Sequence, residues 1–329
     1  MGNIALGLNT LSNVRFADNQ ISSVYLGNNL VWSSYNYILD LYPTSVHHSY
    51  SLRKLRSAYG GFCLRVRRTT TTPTVTTTTV DLDFDSNNTI SLNSPITYAS
   101  GASTTATNLG QFCASVVNGY TNPDGVNTNQ NIFVVTWFDQ SGNGKNPTQA
   151  TAGQQPRLVN AGNLELSGGK VAVRFARTSS QNLSITDTTA NINNMSSYWV
   201  GAFVSSTGTQ VGYSLGVTNR FYFPFYNGNV FAGYGTSAIA ITLDGGFTTN
   251  RKLYELISPS PLNSAVAQGW TNGNAQGTRA IVNAATANIQ IGTVATNYYD
   301  GYIQEIIGWQ SNTNRLEKET NINSYWTIY

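Results

Sequence analysis

The loop within residues 136–151 carries the side chains whose types and spacing best suit ligand contact. An apolar run, Ile132–Phe138, predicts a strand, and 139–144 predicts the loop that leaves it. Asp139 can accept backbone N–H groups of this loop, where two glycines allow positive φ angles. One interpretation is a turn held by its own aspartate. The other is a loop in which Asp139 and Asn143 present oxygens to a ligand or to Ca²⁺.

A second candidate surface is rich in aromatic residues. The sequence FYFPFYNGN, at 221–229, predicts a strand, and alternation along it places half of the side chains on each face. Aromatic rings cover the C–H faces of sugars, while amides and hydroxyls pair with sugar hydroxyls. Core packing is the alternative role for each ring. The candidates are Tyr222, Phe223, Phe225, Tyr226 and Tyr234.

Glycoside hydrolysis needs two carboxylates that flank the scissile bond. Between 188 and 299 the only acidic residues are Asp244 and Glu255. Asp244 falls in a predicted LDGG turn, and Glu255 alternates with leucines in a predicted strand. Neither has a recognisable catalytic setting, so no catalytic residue is predicted.

The sequence gives little support for a metal site or for a catalytic nucleophile. His47 and His48 are adjacent, so in an extended chain they face opposite ways and cannot chelate together. With two histidines and two cysteines, no metal site is predicted. Cys63 and Cys113 favour buried thiols, although a disulfide between them stays open. The sequence contains no phosphate-binding glycine loop and no nucleophile elbow.

Six basic residues fall within 53–68 in a chain whose net charge is only +3. They fit either a patch for nucleic acid or acidic glycan, or a charged strand face beside a short helix. No nucleic-acid fold signature accompanies them, so nucleic acid is not predicted as a partner. The residues are Arg53, Lys54, Arg56, Arg65, Arg67 and Arg68.

The composition predicts a folded, β-rich chain. Charged residues make up 10% of it and aromatic residues 12%, whereas disordered chains combine high charge with few aromatics. Ile38–Pro43 predicts a strand, Ser49–Leu55 a short helix and Arg315–Tyr325 a final helical turn or two. Further strands are predicted at Phe62–Arg67, Ile132–Phe138, Val171–Phe175, Tyr198–Ser205, Phe221–Phe225, Ile239–Leu243, Ile289–Gly292 and Tyr302–Trp309. Such strands, separated by Gly, Asn and Asp turns, predict an antiparallel β-sandwich or jelly roll over 36–329.

The first 35 residues contain a near repeat, SNVRFADNQI followed by SSVYLGNNLV. Each unit predicts a hairpin, with Asp18-Asn19 and Asn28-Asn29 as turn pairs. A hairpin this small cannot bury its own core, so it must pack on a neighbour, another subunit or a larger particle. We predict that 1–35 is an attachment and oligomerisation segment. Its contact residues are predicted to be Val14, Phe16, Val24, Tyr25, Leu26, Leu30 and Trp32.

No targeting or membrane segment is predicted. The start, MGNIALGLNTLSNVRF, lacks the basic leader and apolar stretch of a secretory signal. No stretch approaches the roughly 18 apolar residues of a membrane span, so membrane insertion is not expected.

Several motifs resemble known families. VYLGNNLVW resembles elements near the N-termini of phage fibre and tail proteins. SLRKLRSAYGGFCLRVRR, followed by TWFDQSGNGKNPTQAT, resembles the N-terminal half of arabinofuranosidase B-type catalytic domains, which have a concanavalin-like sandwich. The same pair is similar to laminin-G-like domains of phage structural proteins, as is the ending that contains YYDGYIQEIIGW. The cysteine-containing segments that carry the acids of the arabinofuranosidases have no match here.

These resemblances imply a bacteriophage virion protein, made in the host cytoplasm and displayed as a head fibre, tail fibre or capsid decoration. Its lectin-like domain would bind a host-surface glycan, and its other partners would be capsid or tail proteins. A homo-oligomer is expected, a trimer by similarity to phage fibres, because many copies turn weak contacts into avidity. A purely structural virion protein and a glycan-degrading hydrolase are the alternatives.

Overall fold

Antiparallel strands dominate the computed structural model of the chain, with 46% of residues in strands and 12% in helices. The structure describes residues 37–70, 76–126, 128–190, 192–216, 220–235, 241–244, 246–259, 266–280 and 288–329, together with the backbone of four short strands within 14–33. For residues 192, 220, 221, 234 and 235 only the backbone is described.

The strands alternate buried and exposed side chains wherever one face meets solvent, as Leu64–Thr70 does along its whole length. The first half of the chain contains β1 Val14–Phe16, β2 Asn19–Ile21, β3 Ser23–Leu26, β4 Asn29–Ser33, β5 Val46–Ser51, β6 Leu64–Thr70, β7 Thr76–Leu82, β8 Ile96–Gly101, β9 Ile132–Trp137, β10 Arg157–Asn160, β11 Asn163–Leu164, β12 Leu166–Ser167, β13 Lys170–Val171 and β14 Val173–Phe175. The second half contains β15 Leu183–Thr186, β16 Met195–Phe203, β17 Gln210–Leu215, β18 Arg220–Asn227, β19 Asn229–Gly235, β20 Ile241–Asp244, β21 Lys252–Ser258, β22 Val266–Thr271, β23 Asn274–Ala280, β24 Asn288–Ile291, β25 Thr293–Val294, β26 Asn297–Tyr298 and β27 Gly301–Trp309.

Two antiparallel sheets form the sandwich. In the larger sheet the strand order is β23-β22-β21-β16-β27-β14-β10-β9-β6-β7-β8, with β11 beside β10 and β5 beside β27. In the smaller sheet the order is β15-β24-β17-β18-β19-β20. The prediction of an all-β antiparallel sandwich is therefore confirmed.

The core between the sheets is built from large aromatic side chains. Trp199 of β16 packs against Tyr254 of β21 with ring centroids 5.7 Å apart. Phe203 of the larger sheet reaches Tyr226 of the smaller sheet at 5.9 Å. Burying one such side chain contributes roughly 2 kcal/mol, so these rings hold the two sheets together.

Within the described part of the chain, three α-helices and four short 3₁₀ turns accompany the sheets. The α-helices are α1 Ile38–Leu41, α2 Leu109–Phe112 and α3 Arg315–Trp326; the 3₁₀ turns are Val116–Asn118, Ala152–Gln154, Arg177–Ser179 and Ile192–Asn194. The predicted C-terminal helix is confirmed as α3, which buries Ile322 and Trp326. No helix among the described residues has the length and apolar character needed to cross a membrane.

Two local predictions were wrong, and in opposite senses. Residues predicted as a strand form α1, where Tyr42 N–H donates to the Ile38 carbonyl before Pro43. Residues predicted as a helix begin inside β5, which pairs with β27 through Tyr50 opposite Ile306. In the second segment the available partner strand decided the conformation, because backbone pairing overrides weak local propensity.

The N-terminal repeat forms two hairpins, as predicted, but the predicted turn pairs were wrong by one residue, because Asn19 and Asn29 already pair with Phe16 and Leu26 as the first residues of β2 and β4. Val14 pairs with Ile21 in the first, and Val24 pairs with Trp32 in the second. The side chains of all seven predicted attachment residues lie outside the described residues. The attachment role, and the domain boundary between 35 and 36, therefore stay predictions.

Candidate functional site

A polar pocket of about 400 Å³ opens where β5 begins, beside the loop that follows β9. The end of β27 and the turn after β15 complete its wall. Its lining residues are Ser45, Val46, His47, Asn143, Lys145, Thr189 and Gln310. All of them except Val46 carry a polar side chain, so the pocket suits a ligand with many hydroxyl groups.

Asp139 holds the loop that forms one wall of this pocket. Its Oδ1 accepts the backbone N–H groups of Ser49 at 2.8 Å and Ser141 at 2.9 Å. Its Oδ2 accepts the Ser141 hydroxyl at 2.6 Å and the Lys145 N–H at 3.1 Å. Burial raises the pKa of Asp139 against the opposing effect of these bonds. Because the residue is buried and its oxygens are occupied, the structure favours the turn interpretation over direct ligand contact.

Two further side chains, those of Gln140 and Tyr50, bond this loop to β5 and to the residues that follow β5. Gln140 accepts the Leu55 N–H at 2.8 Å and donates to the carbonyls of Ser51 and Arg53, each at 3.0 Å. The Tyr50 hydroxyl donates to the Lys145 carbonyl at 2.7 Å. The two motifs that resemble arabinofuranosidase B-type domains therefore contact each other and build one rigid corner of the sandwich.

Asn143, unlike Asp139, lines the pocket. Its amide nitrogen donates to the carbonyls of Val46 at 2.8 Å and His47 at 3.1 Å. Gln310 is held in the same way, since its amide nitrogen donates to the Thr189 carbonyl at 3.0 Å. Among the described residues, no group donates a hydrogen bond to either amide oxygen. Both oxygens are therefore fixed acceptors at the pocket wall.

Lys145, which lines the pocket, is ion-paired with Asp187. Lys145 Nζ lies 2.7 Å from Asp187 Oδ1 and 2.5 Å from the Thr189 hydroxyl oxygen. Thr189 donates its hydroxyl hydrogen to Asp187 Oδ1 at 2.7 Å. Burial alone would raise the pKa of Asp187, but the bonds from Lys145 and Thr189 lower it to about 2. Asp187 is thus a carboxylate whose charge is balanced by Lys145.

His47 and His48 extend this network into the core. We expected them to face opposite ways, yet their Nδ1 atoms lie 2.8 Å apart. The register shifts at this point, because Gly308 pairs with His48 and Trp309 with Val46. His47 is therefore an extra, bulged residue, and a bulge lets adjacent side chains turn to the same side.

The neighbours of the two rings determine where their protons lie. His47 Nε2 lies 3.2 Å from both Asp187 Oδ2 and the Thr189 hydroxyl oxygen. The carboxylate only accepts, and Thr189 has already donated its hydrogen, so His47 Nε2 must carry the proton. His47 Nδ1 then accepts from His48 Nδ1, and His48 Nε2 accepts from the Tyr213 hydroxyl at 2.6 Å. The result is a continuous donor chain from Tyr213 in the smaller sheet to Asp187 at the pocket.

Both histidines are neutral in this arrangement. The pKa of His47 is lowered to about 4. Burial is the largest cause, the Lys145 charge acts in the same direction, and Asp187 opposes both. Burial also lowers the pKa of His48, and His47 adds to this effect. Among the described residues, no three His, Cys, Asp or Glu side chains are grouped so that they could hold a metal ion. Calcium binding by the loop stays a prediction.

None of the aromatic candidates whose side chains the structure describes lines this pocket. Tyr222 and Tyr226 are buried, with 4% and 7% of their surface exposed. Tyr222 packs on Phe225 within the smaller sheet. Neither tyrosine presents an open ring face, so we do not propose them as sugar contacts. The side chain of Tyr234 lies outside the described residues.

The two acids considered for hydrolysis lie on different sheets, Asp244 at the end of β20 in the smaller sheet and Glu255 on β21 in the larger sheet. Glu255 is fully buried and binds Arg315 of α3 at 3.0 Å. Tyr254, the preceding residue of β21, points into the core and interacts with Asp244 of the smaller sheet. Consecutive strand residues face opposite ways, so Asp244 and Glu255 cannot flank one glycosidic bond.

The basic cluster divides into interior and surface residues. Arg53 is buried in a two-bond ion pair with Glu305, at 2.8 and 3.0 Å. Arg68 is also buried, and it lies 2.9 Å from Asp124. Arg65 and Arg67 alternate with the buried residues of β6 and point to the outer face of the sheet. Cys63 and Cys113 are free, buried thiols.

No protein-family model matches this chain, and no curated protein sequence matches it. Several solved structures are similar to it at low identity. A GH54 α-L-arabinofuranosidase soaked with a cyclic sulfate inhibitor gives a TM-score of 0.48 at 14% identity, covering 88% of this chain and 63% of that one. An arabinofuranosidase complexed with arabinofuranosyl-α-1,2-xylobiose gives 0.45 at 14% identity, covering 86% and 64%.

A smaller domain is also similar. Domain 4 of a GH43 extracellular arabinanase from Geobacillus stearothermophilus, in complex with arabinotriose, gives a TM-score of 0.34 at 13% identity. The similarity covers 60% of this chain and 90% of that domain. This chain therefore spans less than two thirds of the two arabinofuranosidases but most of the length of the arabinanase domain.

Proposed function

We propose that this protein binds glycans, and that the pocket beside Asn143 is its sugar site. The observation that carries this proposal is the pair of fixed amide oxygens, on Asn143 and Gln310, which accept no hydrogen bond from the described residues. Sugar hydroxyls are donors that such oxygens accept. Lys145 and Ser45, on the same wall, can donate to the sugar oxygens in return.

The rigidity of the pocket supports the same proposal. Both amide nitrogens are held by backbone carbonyls, and Lys145 is held by Asp187 and Thr189. A side chain that is already ordered loses little conformational entropy when a ligand arrives. The corner that forms the wall is also the part of the sequence that resembles arabinofuranosidase B-type domains, which act on sugars.

We propose that recognition occurs without hydrolysis. A glycosidase needs one carboxyl group that can donate a proton and another that can attack or activate water. Asp187 is the acid nearest the pocket, and its low pKa together with the Lys145 ion pair make it a poor proton donor. Asp139 is buried behind the loop.

A glycan array probed with the full chain tests this function. We expect binding to a restricted set of neutral glycans and loss of that binding in Gln310→Ala. Gln276→Ala is the matched control, because Gln276 donates the same kind of single amide bond to a carbonyl, on β23. Equal binding by wild type and Gln310→Ala would contradict the site. Release of reducing sugar from a bound glycan would contradict the non-catalytic role.

We further propose that segment 1–35 fastens this glycan-binding domain to a phage particle as an oligomer. The support is the repeated hairpin, which is too small to bury its own core, and its similarity to phage fibre elements. Cryo-electron microscopy of particles that carry the chain tests this. Density for the sandwich outside the shell or tail, with 1–35 at the junction, is expected. Absence of the chain from purified particles would overturn the proposal.

A further inference from the structure

A row of arginine and aromatic side chains crosses the outer face of the larger sheet. Arg67 pairs with Phe133, Phe133 with Arg157, and Arg157 with Arg174, which in turn pairs with Tyr302. Directly paired residues of antiparallel strands point to the same face. Because adjacent strands lie about 4.8 Å apart, these five residues form a continuous strip about 19 Å long.

Two of the three guanidinium groups in this strip lie over its rings. The Arg67 guanidinium carbon lies 5.1 Å from the centre of the Phe133 ring, and that of Arg174 lies 5.5 Å from Tyr302. All five side chains are half-buried. Stacking holds a guanidinium in a fixed plane, and its N–H edges remain available for hydrogen bonds.

The charges along the strip are balanced everywhere except at one end. Arg157 lies 2.6 Å from Glu165, and Arg174 lies 2.6 Å from Asp300. Arg67 is held only by neutral oxygens, those of Gln155 at 2.7 Å, Thr69 at 2.5 Å and Ala152 at 3.2 Å. Within the part of the chain that the structure describes, no carboxylate pairs with Arg67.

A half-buried cation without a counter-charge is unfavourable, since burial penalises the charged form. The pKa of Arg67 is lowered by burial. The three neutral bonds fix the position of the guanidinium but leave two of its five N–H groups without a partner among the described residues. An anion that reaches this end of the strip would supply the missing charge.

We propose that this strip is a second binding surface, and that it takes a polysaccharide with widely spaced carboxylates. One carboxylate pairs with Arg67, while sugar rings lie along the strip over Phe133 and Tyr302. The site shares no residue with the pocket beside Asn143.

The charge pattern favours such a polysaccharide over a nucleic acid. Glu165 and Asp300 lie beside the strip, and each would repel a nearby phosphate. Each strand of a nucleic acid duplex carries one phosphate about every 3.4 Å of helix axis, so several phosphates would meet these carboxylates. A polymer with one carboxylate per disaccharide can place its charge at Arg67 and neutral sugar elsewhere.

Equilibrium titration of the full chain with hyaluronan oligosaccharides tests the proposal, with the carboxyl-reduced oligosaccharides as the uncharged probe. We expect the charged probe to bind, and the uncharged probe to bind at least about tenfold more weakly, as expected for the loss of one charge-assisted hydrogen bond. Arg67→Gln should weaken binding of the charged probe by a similar factor. Arg279→Gln, at the opposite edge of the same sheet, should leave it unchanged.

Three results would overturn the proposal. They are equal binding of the charged and uncharged probes, equal loss in Arg67→Gln and Arg279→Gln, and displacement of the charged probe by single-stranded DNA. Arg67→Lys keeps the charge and guards against a folding artefact; it should bind more tightly than Arg67→Gln at the same melting temperature. Gln276→Ala, outside both sites, should bind the charged probe as the wild type does. The pocket is tested with neutral glycans and the strip with the charged probe, so failure of the pocket and failure of the strip are distinguishable.

Discussion

The hydroxyl of Tyr213 donates to Nε2 of His48 at 2.6 Å, and this bond joins the smaller sheet to the larger one. Both side chains are fully buried. His48 Nδ1–H in turn donates to His47 Nδ1, and His47 Nε2–H faces Asp187 at the pocket. The pocket is therefore connected to the centre of the sandwich by one chain of polar groups.

Tyr213→Phe should destabilise the protein by roughly 1–3 kcal/mol, because it leaves His48 Nε2 buried without a donor. Urea unfolding measures this loss. Tyr198→Phe is the matched control, since the Tyr198 hydroxyl is buried and has no hydrogen-bond partner among the described residues. Removing that hydroxyl should leave stability unchanged or higher. Equal losses in the two variants would mean that the bond to His48 contributes nothing.

The contribution of His47 and His48 to stability should decrease as the pH falls from about 6.5 to 4. It is measured as the difference between the wild type and a His47→Gln/His48→Gln variant, because Glu255 titrates with the opposite sign in this range. His47 has a pKa of about 4 in the folded protein, below its ordinary value of 6.5, so the unfolded chain binds more protons in this range. The loss for His47 alone is about 3 kcal/mol, and His48 adds to it. Asp187, with a pKa of about 2, loses its contribution only at lower pH. Unfolding at pH 7, 5.5 and 4.5 tests this, and the same slope in a His47→Gln/His48→Gln variant would disprove it.

The docking of α3 should weaken as the pH rises from about 4.5 to 8. Burial raises the pKa of Glu255 to about 8, in part opposed by Arg315 and supported by Glu319. At Glu255 the folded chain therefore binds more protons than the unfolded chain in this range, so the contribution of this group to stability falls with increasing pH. Glu255→Gln should remove this slope, whereas Glu317→Gln, on the exposed side of α3, should keep it. A slope that survives in Glu255→Gln would assign the titration to another group.

Asp139→Ala should cost roughly 2–4 kcal/mol, because it leaves several donors of a buried loop without their acceptor. Asp85→Ala is the comparison, since Asp85 accepts the N–H groups of Asn87 and Thr89 in a more exposed turn. We expect about 1 kcal/mol or less from it. Thermal unfolding compares the two variants. If Asp139→Ala lost no more stability than Asp85→Ala, the loop would not depend on Asp139.

Alternating strands and turn residues made the sandwich predictable from the sequence. The strand predicted at Tyr302–Trp309 is part of β27, and the one predicted at Ile132–Phe138 is β9. Residues 49–55 were predicted wrongly because β5 gains its conformation by pairing with β27, more than 250 residues away. Local patterns contain no signal for such distant pairing.

The candidate site was only partly predictable for the same reason. Asp139 and Asn143 stand in a recognisable loop, but the loop alone did not show which of them faces the pocket. Gln310 reaches the pocket because β27 ends beside β5, and His47 does so because of a bulge. The Asp187–Thr189 turn is a local motif, but its part in the candidate site depends on Lys145, which tertiary packing brings to it.

A crystal structure of the full chain with the strongest neutral glycan from the array would test the central claim most directly. We predict a sugar ring within hydrogen-bonding distance of Asn143 Oδ1 and Gln310 Oε1, with Lys145 and Asp187 unmoved. A glycan bound elsewhere, with the pocket beside Asn143 empty, would contradict the account.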